Sequence, residues 1–388
     1  MLFLLAASCT PGDTVPGKAQ PKASGANSQA SDSPIRAVWI TRWDYKTESD
    51  VRTIIANCAE AGFNQLMFQV RGNASVFFPS SYEPWAEQFD WTDPGFDPLG
   101  LALREAHARG MELHAWANVV PAWYGNQQPQ GQAHVLHQHP EWFWYDQFGD
   151  LQPASEKFYL SLNPCLPAVQ SHIRSVLGEL VEGYAIDGLH LDYIRFPNEP
   201  PAVREGSDYP RDAQTLALYR EATGLHPDDN PEHWDQWRSD QITALLAGIR
   251  ETALAARPGL EISAAVGSEA PRALEHFQDW ATWIERGLVD VLYPMNYTGD
   301  DERYAARVED WTGRAERVSV VMGLHAMNST PAVLKARMAQ AETLFQGSSL
   351  FGYAYFWSSA GDKPEDLTAE LLQGREQLRT LLLPLPSK

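Results

Sequence analysis

From Ile35 onward, short apolar runs and helical patterns alternate eight times, and this alternation limits the fold more than any other feature of the chain. The apolar runs fall near 36–42, 64–71, 111–118, 186–193, 261–266, 290–297, 317–323 and 350–357. The helical patterns that follow them cover 48–61, 99–109, 168–184, 237–256, 274–286, 301–314, 331–344 and 367–382. A strand that returns through a helix to a parallel neighbour is the βαβ unit, and eight in succession predict an α/β chain closed as a (β/α)8 TIM barrel. No phosphate-binding glycine motif follows any strand, which counts against an open doubly wound sheet. Local punctuation agrees, with Asp97-Pro98 opening one helix, Gly110 closing it, and Gly62 and Gly287 closing two others.

The connections after strands two, three and four are long, spanning 72–96, 119–166 and 196–234. Each runs from a strand into a helix, which puts it on the C-terminal face of a barrel, where active sites are built. Side-chain parity then selects residues, because successive strand positions face opposite sides. Leu66, Phe68 and Val70 oppose Gln65, Met67, Gln69 and Arg71. Leu113, Ala115 and Ala117 oppose His114, Trp116 and Asn118, and Leu189 and Leu191 oppose His190 and Asp192. The apolar sets pack under helices, so the polar sets point into the barrel, the later residues nearest its mouth.

The chain has 388 residues, 44% of them hydrophobic and 21% charged, in keeping with a soluble globular fold. Its formal net charge of -20 and the lack of a Lys/Arg cluster exclude nucleic acid as a partner. The first nine residues, M-L-F-L-L-A-A-S-C, resemble a lipoprotein signal cut before a lipidated Cys9, too short to span a bilayer. A signal begins with a basic segment, and none precedes Leu2, so an upstream start would be needed to supply one. Residues 10–34 are rich in Gly, Pro, Ser, Ala and Gln and read as a disordered linker to a barrel over 35–388. The expectation is a monomer on the bacterial envelope, joined to the membrane through a lipid on Cys9. Cys58 and Cys165 show no metal-ligand spacing and read as buried thiols or as a disulfide.

Neither a metal nor another cofactor is expected. His137 and His139 have no supporting ligands, there is no G-x-S-x-G elbow, and no nucleotide motif appears. Carboxylate acid–base chemistry remains, and glycoside hydrolysis usually takes two carboxylates. Asp192, late on strand four, is the leading acid, with His190 and Arg195 as neighbours able to tune it. His190 reads as a substrate-binding residue or equally as a hydrogen-bonded core residue, and Arg195 as a substrate-binding residue or equally as the ion-pair partner of Asp192. Asn118 suits a sugar hydroxyl and Trp116 a sugar face, with Asn296, Tyr297 and Trp357 at the ends of strands six and eight.

The segments R-A-V-W-I-T-R (36–42), F-Q-V-R-G-N (68–73), F-D-P-L-G (96–100), E-A-H-A-R-G-M-E-L-H-A-W-A-N (105–118), D-G-L-H-L-D-Y-I-R-F-P (187–197) and Y-P-M-N-Y (293–297) together resemble the glycosyl-hydrolase-like family 10. The resemblance implies a TIM barrel, often an envelope lipoprotein, and a polysaccharide substrate. A bacterial member of the family cleaves peptidoglycan glycan strands stripped of their stem peptides. Asp192 carries over as the strand-four acid, with Arg71, His114, Asn118 and Tyr297 lining the cleft. Family members commonly carry an acid just after the Q-V-R strand end, whereas this chain has G-N-A-S there, with Asn73 and Ser75. Asp44, Glu83, Glu87 and Glu269 are the candidates to stand in, and Glu87 or Asp44 is the expected second carboxylate. The resulting expectation is an envelope-tethered hydrolase of an amino-sugar polymer, peptidoglycan glycan above all. The alternatives are a non-catalytic carbohydrate-binding lipoprotein and a hydrolase of another extracellular polysaccharide.

Overall fold

The structure, a computed structural model, describes residues 33–197 and 204–382. Cys9, the signal segment and all but the last two residues of the expected linker lie outside the described residues. Eight parallel strands form the barrel: β1 (Ile35–Ile40), β2 (Gln65–Gly72), β3 (Glu112–Asn118), β4 (Gly188–Asp192), β5 (Glu261–Gly267), β6 (Val291–Met295), β7 (Ser319–His325) and β8 (Gly347–Phe351). They pair in sequence order, and β1 closes the ring by pairing with both β2 and β8.

The helices α1 (Glu48–Glu60), α2 (Pro98–His107), α3 (Pro167–Gly183) and α4 (Pro231–Ala256) follow the first four strands. Then come α5 (Trp280–Glu285), α6 (Asp301–Arg314), α7 (Pro331–Leu344) and α8 (Ala369–Leu382). Capping fits the sequence. Thr47 and Asp50 form a reciprocal capping box at α1, and Asp97 caps α2 ahead of its Pro98. The helix expected over 274–286 is two pieces, Ala270–Leu274 and α5. Phe277 sits between them in the left-handed region (φ 55°), and the Gln278 side chain turns back to bond Gly267 N–H and Ala265 C=O of β5. The third long connection holds a helix of its own, Ala213–Thr223.

Inward-facing side chains stack in three layers. Lowest, Tyr293 donates to Gln65, whose amide meets His114 Nε2 at 3.0 Å. The middle layer holds Trp39, Trp116 and His190, with His190 Nδ1 2.8 Å from Ser263 Oγ. The top layer brings Asn118 opposite Asp192, with His325 and Phe351 paired across β7 and β8. Gly188 leaves the space that the His114 ring occupies, and a Cβ there would collide with it. The layered interior is a packed core, and function is left to the mouth.

Strand eight lies earlier than expected. Ser348 and Ser349 look like loop residues, but both are buried in the pairing of β8 with β1 and β7. The aromatic run after it leaves the barrel as a 3-10 turn, Tyr353–Tyr355, whose Tyr353 hydroxyl meets Asn57 of α1 at 2.8 Å. Cys58 and Cys165 are both buried free thiols.

Candidate active site

A cavity of about 370 Å³ opens at the C-terminal mouth of the barrel, and Asp192 is the one carboxylate among its described lining residues. Asp192 is the last residue of β4 and only 6% exposed. Its Oδ1 accepts the Tyr193 N–H at 2.7 Å, a bond made by a left-handed turn at Tyr193 (φ 50°). Burial pushes its carboxyl up to about 6, against the opposing pull of Arg195, the Tyr193 N–H and the Trp116 indole. A carboxyl held there keeps its proton into the mildly acidic range, as a general acid requires.

Aromatic and cationic groups wall the cavity. Trp116 and Asn118 form its floor, the Trp116 indole donating to Asn118 Oδ1 at 3.1 Å. Arg42 lies 4.0 Å over the Trp43 ring and 5.9 Å from the Tyr159 ring centre. Tyr159 meets Tyr193 edge to face at 5.2 Å, and Arg195 sits 4.6 Å over Tyr193. Tyr297 completes the wall, its phenol pushed well above the usual range by burial and by the nearby Asp192. Such flat rings suit the apolar faces of pyranoses, with polar groups left for their edges.

Several expected site residues lie elsewhere. Parity places Arg71 inward, but a bulge between Gln69 and Arg71 rotates it off that face. Arg71 is instead a fully buried strut, paired with Glu83 at 2.6 Å and donating to the Asn118 and Val119 carbonyls. His114 faces inward but pairs with Gly188 at the bottom of β4, two layers below Asp192. His190 lies one layer below Asp192, packed between Trp39 and Tyr293, and burial holds its imidazole well below the usual value. Asn296 is buried behind the wall, bonded to Tyr304 C=O and to Arg307. Trp357 stacks on Tyr353 at 4.9 Å and packs against Phe63, away from the cavity, because β8 ends at Phe351.

The candidate acids also separate. Asp44 does not line the cavity; its Oδ2 closes a turn by accepting the Thr41 N–H and hydroxyl. Glu83 belongs to Arg71 and His172, and Glu269 is held by Arg303 and Arg307. Glu87 borders a second cavity of about 610 Å³, with Trp91, Trp123 and Tyr124. Its Tyr124 ring lies 5.3 Å from the Tyr159 ring of the first cavity. Burial raises the Glu87 carboxyl, while Arg42 and the Asn73 amide act to lower it. On the other side, Arg195, Met295 and Tyr297 are shared with a third cavity of about 330 Å³ reaching Glu269 and Arg272.

The profile of glycosyl hydrolase-like 10 matches residues 34–335, from just before β1 into α7. This chain belongs to that family. Among curated proteins it is similar to glycosyl hydrolase DigH of Escherichia coli strain K12, 28% identical over 351 residues, covering 76% of this chain and 73% of DigH. It is also similar to glycosyl hydrolase YngK of Bacillus subtilis strain 168, 27% identical over 305 residues. That match covers 70% of this chain, which spans about half of YngK (55%). Among solved structures, the glycoside hydrolase domain of PgaB (BpsB) from Bordetella bronchiseptica superposes with a TM-score of 0.61 at 16% identity, covering 91% of this chain and 100% of that one. The catalytic domain of a β-amylase from Paenibacillus polymyxa gives the same TM-score at 11% identity, covering 91% and 99%. These two likenesses show a shared barrel, and the family whose profile matches is glycosyl hydrolase-like.

Within the glycosyl hydrolase-like 10 frame, the acid looked for after Q-V-R is replaced by a tight turn. Asn73 and Ala74 are both left-handed (φ 50° and 46°), joining β2 to the short strand Ser75–Val76. Asn73 is buried and does not line the cavity. It accepts from Arg42 at 3.1 Å and donates to Glu87 at 3.3 Å, linking the wall of one cavity to the acid of the next. Sequence reasoning passed over Arg42, Tyr159 and His325. His325 had a signal, since β7 runs two residues beyond its expected end with the same inward parity. Tyr159 lies in a connection, where parity says nothing, and Arg42, expected at the end of the first strand on the side of Val38 and Ile40, lies past that strand because it ends at Ile40.

Proposed function

We propose that this chain is an envelope-tethered glycoside hydrolase that cleaves an amino-sugar polymer, the glycan strands of peptidoglycan. The observation that carries the reading is Asp192, protonated into the mildly acidic range on the floor of an aromatic-walled cavity at the barrel mouth. In this reading its carboxyl donates the proton to the glycosidic oxygen as the C–O bond breaks, and positive charge grows at the anomeric carbon. Glu87 borders the cavity beside that of Asp192, linked to the Arg42 wall through Asn73. In this reading it is the second carboxylate, taking the proton of the attacking water where a bound strand passes from one cavity to the other. Asn118 and Tyr297 hold sugar hydroxyls, and Tyr159, Tyr193 and Trp43 hold ring faces. The amino-sugar substrate is supported by the family resemblance, and the envelope location by the lipoprotein-like start ending at Cys9.

Pure protein incubated with glycan strands freed of stem peptides is expected to yield shortened oligosaccharides, read by mass spectrometry. Unchanged strands would sink the reading, and binding without cleavage would point to a carbohydrate-binding module. Tyr159→Ala should raise KM about tenfold, as loss of one aromatic contact worth about 1.4 kcal/mol implies, with a smaller effect on kcat. An unchanged KM would remove Tyr159 from the sugar-binding wall.

A further inference from the structure

The third cavity, which shares Arg195, Met295 and Tyr297 with the Asp192 cavity, continues away from that acid. It shares Ser268, Glu269, Arg272 and Arg307 with a further cavity of about 610 Å³. Three of its described lining residues are arginines, and Glu269 is the one acid among them. The arginines come from separate elements: Arg195 follows β4, Arg272 stands on Ala270–Leu274, and Arg307 on α6. Glu269 is already taken up, its Oε2 accepting from Arg303 at 2.6 Å and from Arg307 at 2.7 Å. Arg307 is 9% exposed and also donates from Nη1 to Asn296 Oδ1 at 3.2 Å, so two bonds hold it in place. Its buried Nε has no partner among the described residues. Arg272 is exposed and makes no hydrogen bond or ion pair among them. The described lining is thus about two charges positive, in a chain of net charge -20.

An anion answers that charge, and the arrangement favours phosphate. A phosphate monoester carries about two negative charges at neutral pH, and its three free oxygens can meet guanidiniums that arrive from different elements. A carboxylate offers two oxygens in one plane, which suits a single guanidinium fork. We infer that the third cavity is a phosphate-binding subsite, which holds a phosphate ester on a sugar of the bound strand between the fixed Arg307 and the free Arg272. The strand rests on the hydrolase reading above; the phosphate rests on this cavity alone.

Calorimetry on the full chain at physiological ionic strength tests it, with N-acetylglucosamine 6-phosphate, N-acetylglucosamine, glucuronate and inorganic phosphate as probes. The sugar phosphate should bind at least tenfold more tightly than the neutral sugar and the glucuronate. Arg272→Gln should remove most of that preference, and Arg272→Lys should restore part of it. Arg286→Gln, which removes an exposed arginine outside the cavity, should leave it unchanged. Glucuronate bound as tightly as the sugar phosphate overturns the inference, as does a tenfold preference that survives in Arg272→Gln. Inorganic phosphate bound as tightly as the sugar phosphate keeps the subsite and assigns it to free phosphate. Arg272 is exposed, so its variants should fold with an unchanged Tm. Calorimetry needs no turnover: if glycan strands are left uncut the hydrolase reading fails, and the phosphate preference is still decided.

Discussion

Asp192→Asn should lower kcat on glycan strands by about 10²–10⁴, the usual contribution of a positioned general acid. The amide keeps the shape and can neither hold nor give the proton. The loss should not be one of folding. The carboxyl stands at about 6 because it is buried, so above that pH the folded state carries a desolvated charge that Asn does not. Thermal unfolding at pH 7 is therefore expected to give an equal or higher Tm for the variant. The pH profile provides an independent check. The acid works protonated, so kcat/KM of the unmodified protein should fall as pH rises through about 6. Arg195 acts to lower this pKa, so Arg195→Gln should move that limb to higher pH. A fully active Asp192→Asn would remove Asp192 from the chemistry.

Arg71→Ala should destabilise the barrel by about 3–5 kcal/mol, the range for breaking a buried ion pair from one side. Glu83 would be left charged and fully buried, and the Asn118 and Val119 carbonyls would lose their donor. Titration sharpens this. Burial alone would raise the Glu83 carboxyl, but Arg71 and His172 override it and hold it at about 2. A depressed carboxyl contributes stability above its unfolded value of 4.5, lost as pH falls through about 2. Asp192 and Asp44 have the opposite sign. Each is raised by burial from 3.8 to about 6, so each costs stability as pH rises across that interval, about 3 kcal/mol apiece. Chemical unfolding across pH should therefore show greatest stability in the mildly acidic range. Arg71→Ala should lose the acid-side fall that Glu83 causes, and an unchanged fall would place its origin elsewhere.

Period-two parity carried most of the barrel, because a strand buried on both faces must sort its residues by side. It brought Asp192, Asn118 and Trp116 to one interior, and they meet there. Parity gives a side but not a height, so His114 and His190 face inward below the cavity rather than in it. It also assumes an unbroken strand, and one extra residue between Gln69 and Arg71 was enough to turn Arg71 away. The aromatic run at 350–357 drew the eighth strand towards itself, although its apolarity serves packing against α1. The wall residues Arg42 and Tyr159 were hidden for another reason. They come from connections 117 residues apart, and nothing local in either predicts that their side chains meet.

The Asp192 cavity shares Arg195, Met295 and Tyr297 with the cavity that reaches Glu269, and its Tyr159 ring lies 5.3 Å from Tyr124 of the cavity that Glu87 borders. A slot closed at one end counts sugars from a terminus and releases a unit of fixed size. A trough with room on both sides of the acid imposes no such count, so a long strand can be engaged anywhere along its length. Cutting of that kind would sever a mesh before eroding it: average chain length would fall early, while little of the polymer would leave as small oligosaccharides. For a polymer under tension in a wall, one cut in the middle releases more strain than many at the tips.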